Sequence, residues 1–184
     1  MTEMLSGLRE DHRNMSIMLD LLEGEADSIR NGQAPDCDLL HAVMQYMTTY
    51  SDAVHHANEN AMYRAMIARS PGLAQDLEQV GDDHRSIEMH GASLLARIDA
   101  LAAGGNIDRN ELADDATAYV RDLRAHMAWE ETDLFVRADA LARGEGSMAP
   151  EQFKLDRPDP LFGPKREHSF AELLRKKKEH PGEA

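Results

Sequence analysis

An apolar stripe that occurs twice is the feature that most constrains this chain. Leu5, Leu8, His12, Met15, Leu19, Leu22, Ala26 and Ile29 follow one another at steps of three and four residues. Leu77, Val80, His84, Ile87, Gly91, Leu94, Ile98 and Leu101 repeat those steps, each 72 positions after its counterpart. At 3.6 residues per turn, each set lies along one side of a helix. Two long helices with such faces have to pack against something. Each carries a histidine where the pattern asks for leucine.

Breakers at N31-G32-Q33-A34-P35, S70-P71-G72, G104-G105-N106 and G144-E145-G146 cut the chain into four long pieces rich in good helix formers. Asp36 is placed to cap the second piece, Ser70 with Pro71 the third, and Asp108 with Glu111 the fourth as a capping box. In the second piece Met44, His55, Glu59, Met62 and Met66 share a face; in the fourth Leu112, Leu123, His126, Glu130 and Leu134 do. Short links between long amphipathic helices predict an all-α fold, an antiparallel up-down-up-down four-helix bundle made from a duplicated two-helix unit. Two units are too few for a solenoid. The bundle is expected to span residues 1–146. A tail, 147–184, follows; its PDPLFGP stretch and the short basic amphipathic helix of SFAELLRKKK are expected to dock on the bundle.

The chain carries 34 acidic against 20 basic side chains, a net charge of −14. Such a balance argues against nucleic acid, whose phosphates need a basic face. Cys37 is the only cysteine, so no internal disulfide framework exists. MTEMLSGLREDHR has no signal-peptide pattern and no stretch reaches the length of a membrane span, so a cytoplasmic protein away from membranes is expected.

His55 and Glu59 are four residues apart, as are His126 and Glu130, so each pair leaves one side of its helix about a turn apart. With His12 and His84 they make four imidazoles and two carboxylates on faces that a bundle buries. Burial without partners would cost several kcal/mol for each unpaired ion. Metal ions remove the difficulty. Imidazole and carboxylate suit iron, manganese and zinc, and a carboxylate has two oxygens with which to span two ions. No second cysteine is available for a thiolate site.

DHR at 11–13 and 83–85, HHANEN from His55 and HMAWEE from His126 give one His, HxxxE, one His and HxxxE on successive helices. This arrangement, over roughly residues 1–145, resembles the haemerythrin-like HHE cation-binding domain. The resemblance implies a non-haem di-iron centre. His12 and His55 would hold one iron, His84 and His126 the other, and Glu59 and Glu130 would bridge them beside an oxo or hydroxo group, with manganese as the alternative metal. Oxygen carriers of the family have a further His four residues after the helix-three His. Glu88 stands there in this chain, a further candidate ligand, and its presence points away from oxygen transport. The expected function is binding or reduction of a small oxidant (oxygen, peroxide or nitric oxide) with an electron donor still to be identified. The alternative is an iron storage, sensing or delivery module, for example in iron–sulfur cluster repair. His41 is too far along its helix to join the site, and His90 is turned from the His84 face. His56 points about 100° away from His55 and is assigned to packing or solvent, with support of the ligands from behind as the alternative. Trp129, Tyr50 and Tyr119 lie near the expected ligand layer.

Overall fold

The computed structural model describes residues 2–144 and 159–162. The first long helix is α1, Thr2–Arg30. The second runs as α2, Cys37–Tyr46, a π-helical stretch, Met47–His55, and α3, His56–Arg69. A single 3₁₀ turn, Pro71–Leu73, leads into α4, Ala74–Ala102. The last runs as α5, Arg109–Trp129, a shorter π-helical stretch, Glu130–Leu134, and α6, Phe135–Gly144. Sequence neighbours pack side by side and α5 returns to close the ring against α1, which is a four-helix bundle.

The links follow local chemistry. Gly32 and Gly104 end α1 and α4 with φ of 86° and 83°, a left-handed conformation that suits glycine. The Asp36 side chain accepts from Leu39 N at 3.0 Å, the expected cap of α2. Asp108 accepts from Asn110 N and Glu111 N at 2.8 and 3.2 Å. Ser70 does not cap through its side chain. Its carbonyl instead accepts from Leu73 N at 3.0 Å, because Pro71 opens a 3₁₀ turn before α4 starts at Ala74.

Both stripes are buried as predicted, except that Leu101 is only half-buried. Buried apolar residues form two clusters. One gathers Met15 to Ile29 of α1 with Leu39–Val54, Ile87–Ile98 and Leu112–Met127; the other gathers Met4–Leu8, Met62–Met66, Leu77–Val80 and Leu134–Ala138. On every helix the gap between the clusters falls at the predicted polar residues, with His126 at its edge beside Met127 on the last. The core is therefore apolar at both ends with one polar layer between.

In the tail, Asp159 Oδ2 accepts from Tyr46 and Asn14, while Leu161 and Phe162 pack on the first cluster. The basic helix expected near SFAELLRKKK lies outside the described residues, as do His168 and His180. No helix among the described residues is long and apolar enough to cross a membrane.

Candidate metal centre

His12, His55, Glu59, His84, His126 and Glu130 meet in that polar layer, none more than 7 % exposed. The imidazoles come as two pairs. His12 and His55 have centroids 4.8 Å apart and His84 and His126 4.7 Å apart, each pair edge to face. Glu59 Oε1 lies 3.5 Å from His12 Nε2 and 3.2 Å from His55 Nε2, and its Oε2 lies 3.5 Å from His84 Nε2. Glu130 Oε2 lies 3.5 Å from His12 Nε2, and its Oε1 lies 3.4 Å from His84 Nε2 and 3.3 Å from His126 Nε2. Each carboxylate thus divides its two oxygens between the two pairs.

The ring nitrogens are used unequally. His12 Nδ1 is 3.0 Å from Glu131 Oε1, His55 Nδ1 is 3.1 Å from Asp11 Oδ2, and His84 Nδ1 is 3.2 Å from Asn60 Oδ1. Those oxygens only accept, so they fix a proton on Nδ1 and leave Nε2 as the nitrogen that can give up its proton and offer a lone pair. All four Nε2 atoms, both oxygens of Glu59 and Oε2 of Glu130 are buried without a hydrogen-bond partner. Seven such atoms in one layer would be costly in an ordinary core. Two donors held about 2.1 Å from one ion at right angles are about 3.0 Å apart, close to the 3.2–3.5 Å found here. Two three-residue groups, His12 with His55 and Glu59, and His84 with Glu59 and Glu130, have donor atoms that would fit around a metal ion.

Proton affinities follow the same geometry. Burial alone would push His12 down, but Glu130 and Glu59 beside it outweigh burial and raise it to about 9. Burial likewise opposes protonation of His55, and Glu59 and Asp11 lift it to about 10. His126 is also raised against burial, by Glu130 first and by Asp83 last among its neighbours. Burial and Glu130 would raise Glu59, yet His55 and His12 hold it at about 2. The imidazoles hold Glu130 well below the usual range despite its burial. The layer is tuned to hold positive charge between two carboxylates, which protons or metal ions can supply.

Five residues that sequence reasoning did not select complete the site. Asp11, Asn60 and Glu131 anchor imidazoles as above, and Tyr63 donates to Glu130 Oε1 at 2.7 Å. A signal for two of them was present: Asn60 and Glu131 each directly follow the Glu of an HxxxE pair. His56 is the fifth. It is 1 % exposed and stacks on His84 with centroids 4.1 Å apart and planes 10° from parallel. Solvent is excluded for it. A His56 nitrogen lies within 4.8 Å of donor atoms of His84 and His126. Parallel rings, however, run their lone pairs side by side rather than toward one point, so His56 packs against the ligand layer and does not converge with the six.

Glu88 lies apart from the six. Its Oε1 is 3.9 Å from His56 Nδ1 and its side chain is 41 % exposed. His41 pairs with Asp99 and His90 with Asp115, both away from the layer. Trp129 sits 6.3 Å from His126 between ring centroids, and Tyr50 donates to Asp11. Tyr119 OH is buried without a hydrogen-bond partner.

The sequence model of the family described as "Hemerythrin HHE cation binding domain" matches residues 3–138. The chain belongs to this family. No curated protein and no solved structure matches it significantly. Cation binding by this HHE domain accords with the buried His and Glu groups assembled in the bundle.

Proposed function

We propose that this HHE protein is a non-haem di-iron protein that binds or reduces a small oxidant: oxygen, peroxide or nitric oxide. His12 and His55 would hold one ion, His84 and His126 the other, with Glu59 and Glu130 spanning both. One observation carries the reading: four Nε2 atoms and two carboxylates converge with no hydrogen-bond partner but Tyr63, while three of the Nδ1 atoms are fixed from outside. Outer anchors of this kind orient ligating imidazoles and raise their basicity. When bound, the two irons would supply the electrons that a small oxidant accepts.

The chain's own residues do the rest. Asp11, Asn60 and Glu131 hold three rings in the tautomer that a metal requires. Tyr63 steadies Glu130 through one oxygen. The apolar clusters above and below the layer keep bulk water from both ends. Glu88, directed at His56 rather than at the six, leaves four converging imidazoles and favours turnover over reversible oxygen carriage.

Metal content and the visible spectrum of protein purified in air test this reading. Two irons per chain with near-ultraviolet absorption from a bridged ferric pair are expected. Anaerobic ferrous protein should then consume at least one of the three oxidants rapidly. A chain that takes up no metal after anaerobic ferrous loading, or an iron-loaded one inert to all three, overturns it.

A further inference from the structure

The duplication makes the two flanks of the centre comparable, and they differ. On one flank Asp11 reaches His55, and Tyr50, one turn before His55 in the π-helical stretch, donates to Asp11 at 3.2 Å. Tyr50 stacks on Tyr46 with centroids 5.5 Å apart, and Tyr46 donates to Asp159 at 2.8 Å with Phe162 edge-on to its ring. Aromatic rings and the segment 159–162 cover that flank. On the other flank the counterpart of Asp11 is Asp83, and the residue one turn before His126 is Asp122. Asp83, Ser86, Ile87, Asp122, His126 and Trp129 line a surface pocket there of about 370 Å³.

We propose that this pocket is the uptake vestibule of the metal centre: a hydrated divalent cation docks between Asp83 and Asp122 before it passes His126. The inference rests on the metal-centre reading above. His126 is the one member of the six that lines the pocket. It is 7 % exposed against 0–3 % for the other five, and its Nε2 is unpartnered. An ion with six waters needs about 180 Å³, at roughly 30 Å³ for each water, so the pocket has room for it before dehydration. Neither carboxylate is locked. Gln79 donates to Asp83 Oδ1 at 2.9 Å and leaves Oδ2, and the Arg121 pair with Asp122 at 2.8 Å is exposed on both sides. Exposed pairs of that kind hold weakly, so a doubly charged ion competes well for Asp122. The net charge of −14 adds a long-range field of the same sign.

Trp129, the sole tryptophan, stands in the pocket wall and reports the passage. Metal-free full-length protein is mixed with Co²⁺ in a stopped-flow instrument and quenching of Trp129 is followed, with the visible Co²⁺ spectrum giving final stoichiometry. Asp83→Asn with Asp122→Asn should slow uptake about tenfold at low salt, and the difference should vanish near 1 M salt, where charges are screened within a few ångströms. Final stoichiometry and spectrum should match the unsubstituted protein. Asp27→Asn with Asp114→Asn removes the same charge farther off, about 12 Å from Asp122 for Asp114 and more than about 20 Å for Asp27 along the helices, and should slow uptake far less than the pocket variant. Equal rates for the pocket variant and the unsubstituted protein, or equal slowing by the distant variant, would overturn the vestibule. Failure of the unsubstituted protein to bind Co²⁺ at all would instead overturn the metal centre. Should the metal-free chain lose its helical circular dichroism, chelator-driven loss of Co²⁺ from the loaded, folded protein replaces uptake. The same slowing supports the route and its absence overturns it.

Discussion

Replacing Tyr63 by Phe removes one oxygen from the centre and little else. Tyr63 is 2 % exposed and donates to Glu130 Oε1 at 2.7 Å. The phenol is held well above its ordinary range by burial and by Glu59 and Glu130, so it stays protonated. Glu130 lies well below its ordinary range, so it stays ionised from neutral to alkaline pH. The lost interaction is therefore a buried hydrogen bond to a charge, worth about 1.5–3 kcal/mol. A phenylalanine ring fills the same space, so no cavity cost is added. At about 2–4 °C per kcal/mol for a chain of this size, a loss near 2 kcal/mol lowers the Tm of the metal-free protein by about 4–8 °C. The sign with pH follows from Glu130. A carboxylate with a depressed folded pKa contributes above its unfolded value and loses that contribution as pH falls. The gap between Tyr63→Phe and the unsubstituted protein should thus be constant between pH 6 and 9 and shrink in acid. Urea unfolding at several pH values measures it. A change below about 0.5 kcal/mol at pH 7, the size of an ordinary surface substitution, would mean that Tyr63 does not hold Glu130.

Three further outcomes are expected. In metal-free protein His12 and His55 stand at about 9 and about 10, above their ordinary 6.5. Their contribution is full below pH 6.5 and is lost as pH rises through 9 to 10, whereas metal binding needs deprotonated imidazoles and strengthens with pH. The Tm difference between loaded and metal-free protein should therefore widen from pH 6.5 upward, and a metal-free protein that gains stability over that range contradicts the assignment. Glu131→Ala removes the anchor of His12 Nδ1 and should weaken metal binding about 10–100-fold, read by competition with a chelator dye. Asp36→Ala removes the cap of α2 and should cost about 1 kcal/mol in urea unfolding while leaving metal affinity unchanged, since the cap lies far from the polar layer.

The four helices and the six converging residues were legible in the sequence because helical periodicity converts spacing into direction. His12 falls on the stripe of Leu8 and Met15, so whatever buries those residues buries His12, and the same holds 72 positions on. His55 with Glu59 and His126 with Glu130 follow from the same rule over a single turn. What lies across a helix boundary was not legible. Asn60 serves His84, Glu131 serves His12 and Asp11 serves His55, and each contact depends on which helix packs alongside and at what height. The π-helical stretches were missed because their register differs from α by one residue per hydrogen bond, a choice that packing makes rather than local propensity. Ser70 failed as a cap because Pro71 opens a 3₁₀ turn, so that α4 starts only at Ala74. The inequality of the two flanks starts from a sequence difference, Tyr50 against Arg121 at the matching place, but its consequence belongs to tertiary structure. Periodicity makes Asp11 and Asp83 equivalent, and only packing brings Tyr50 onto Asp11 and residues 159–162 onto Tyr46 while Asp83 is left lining a pocket.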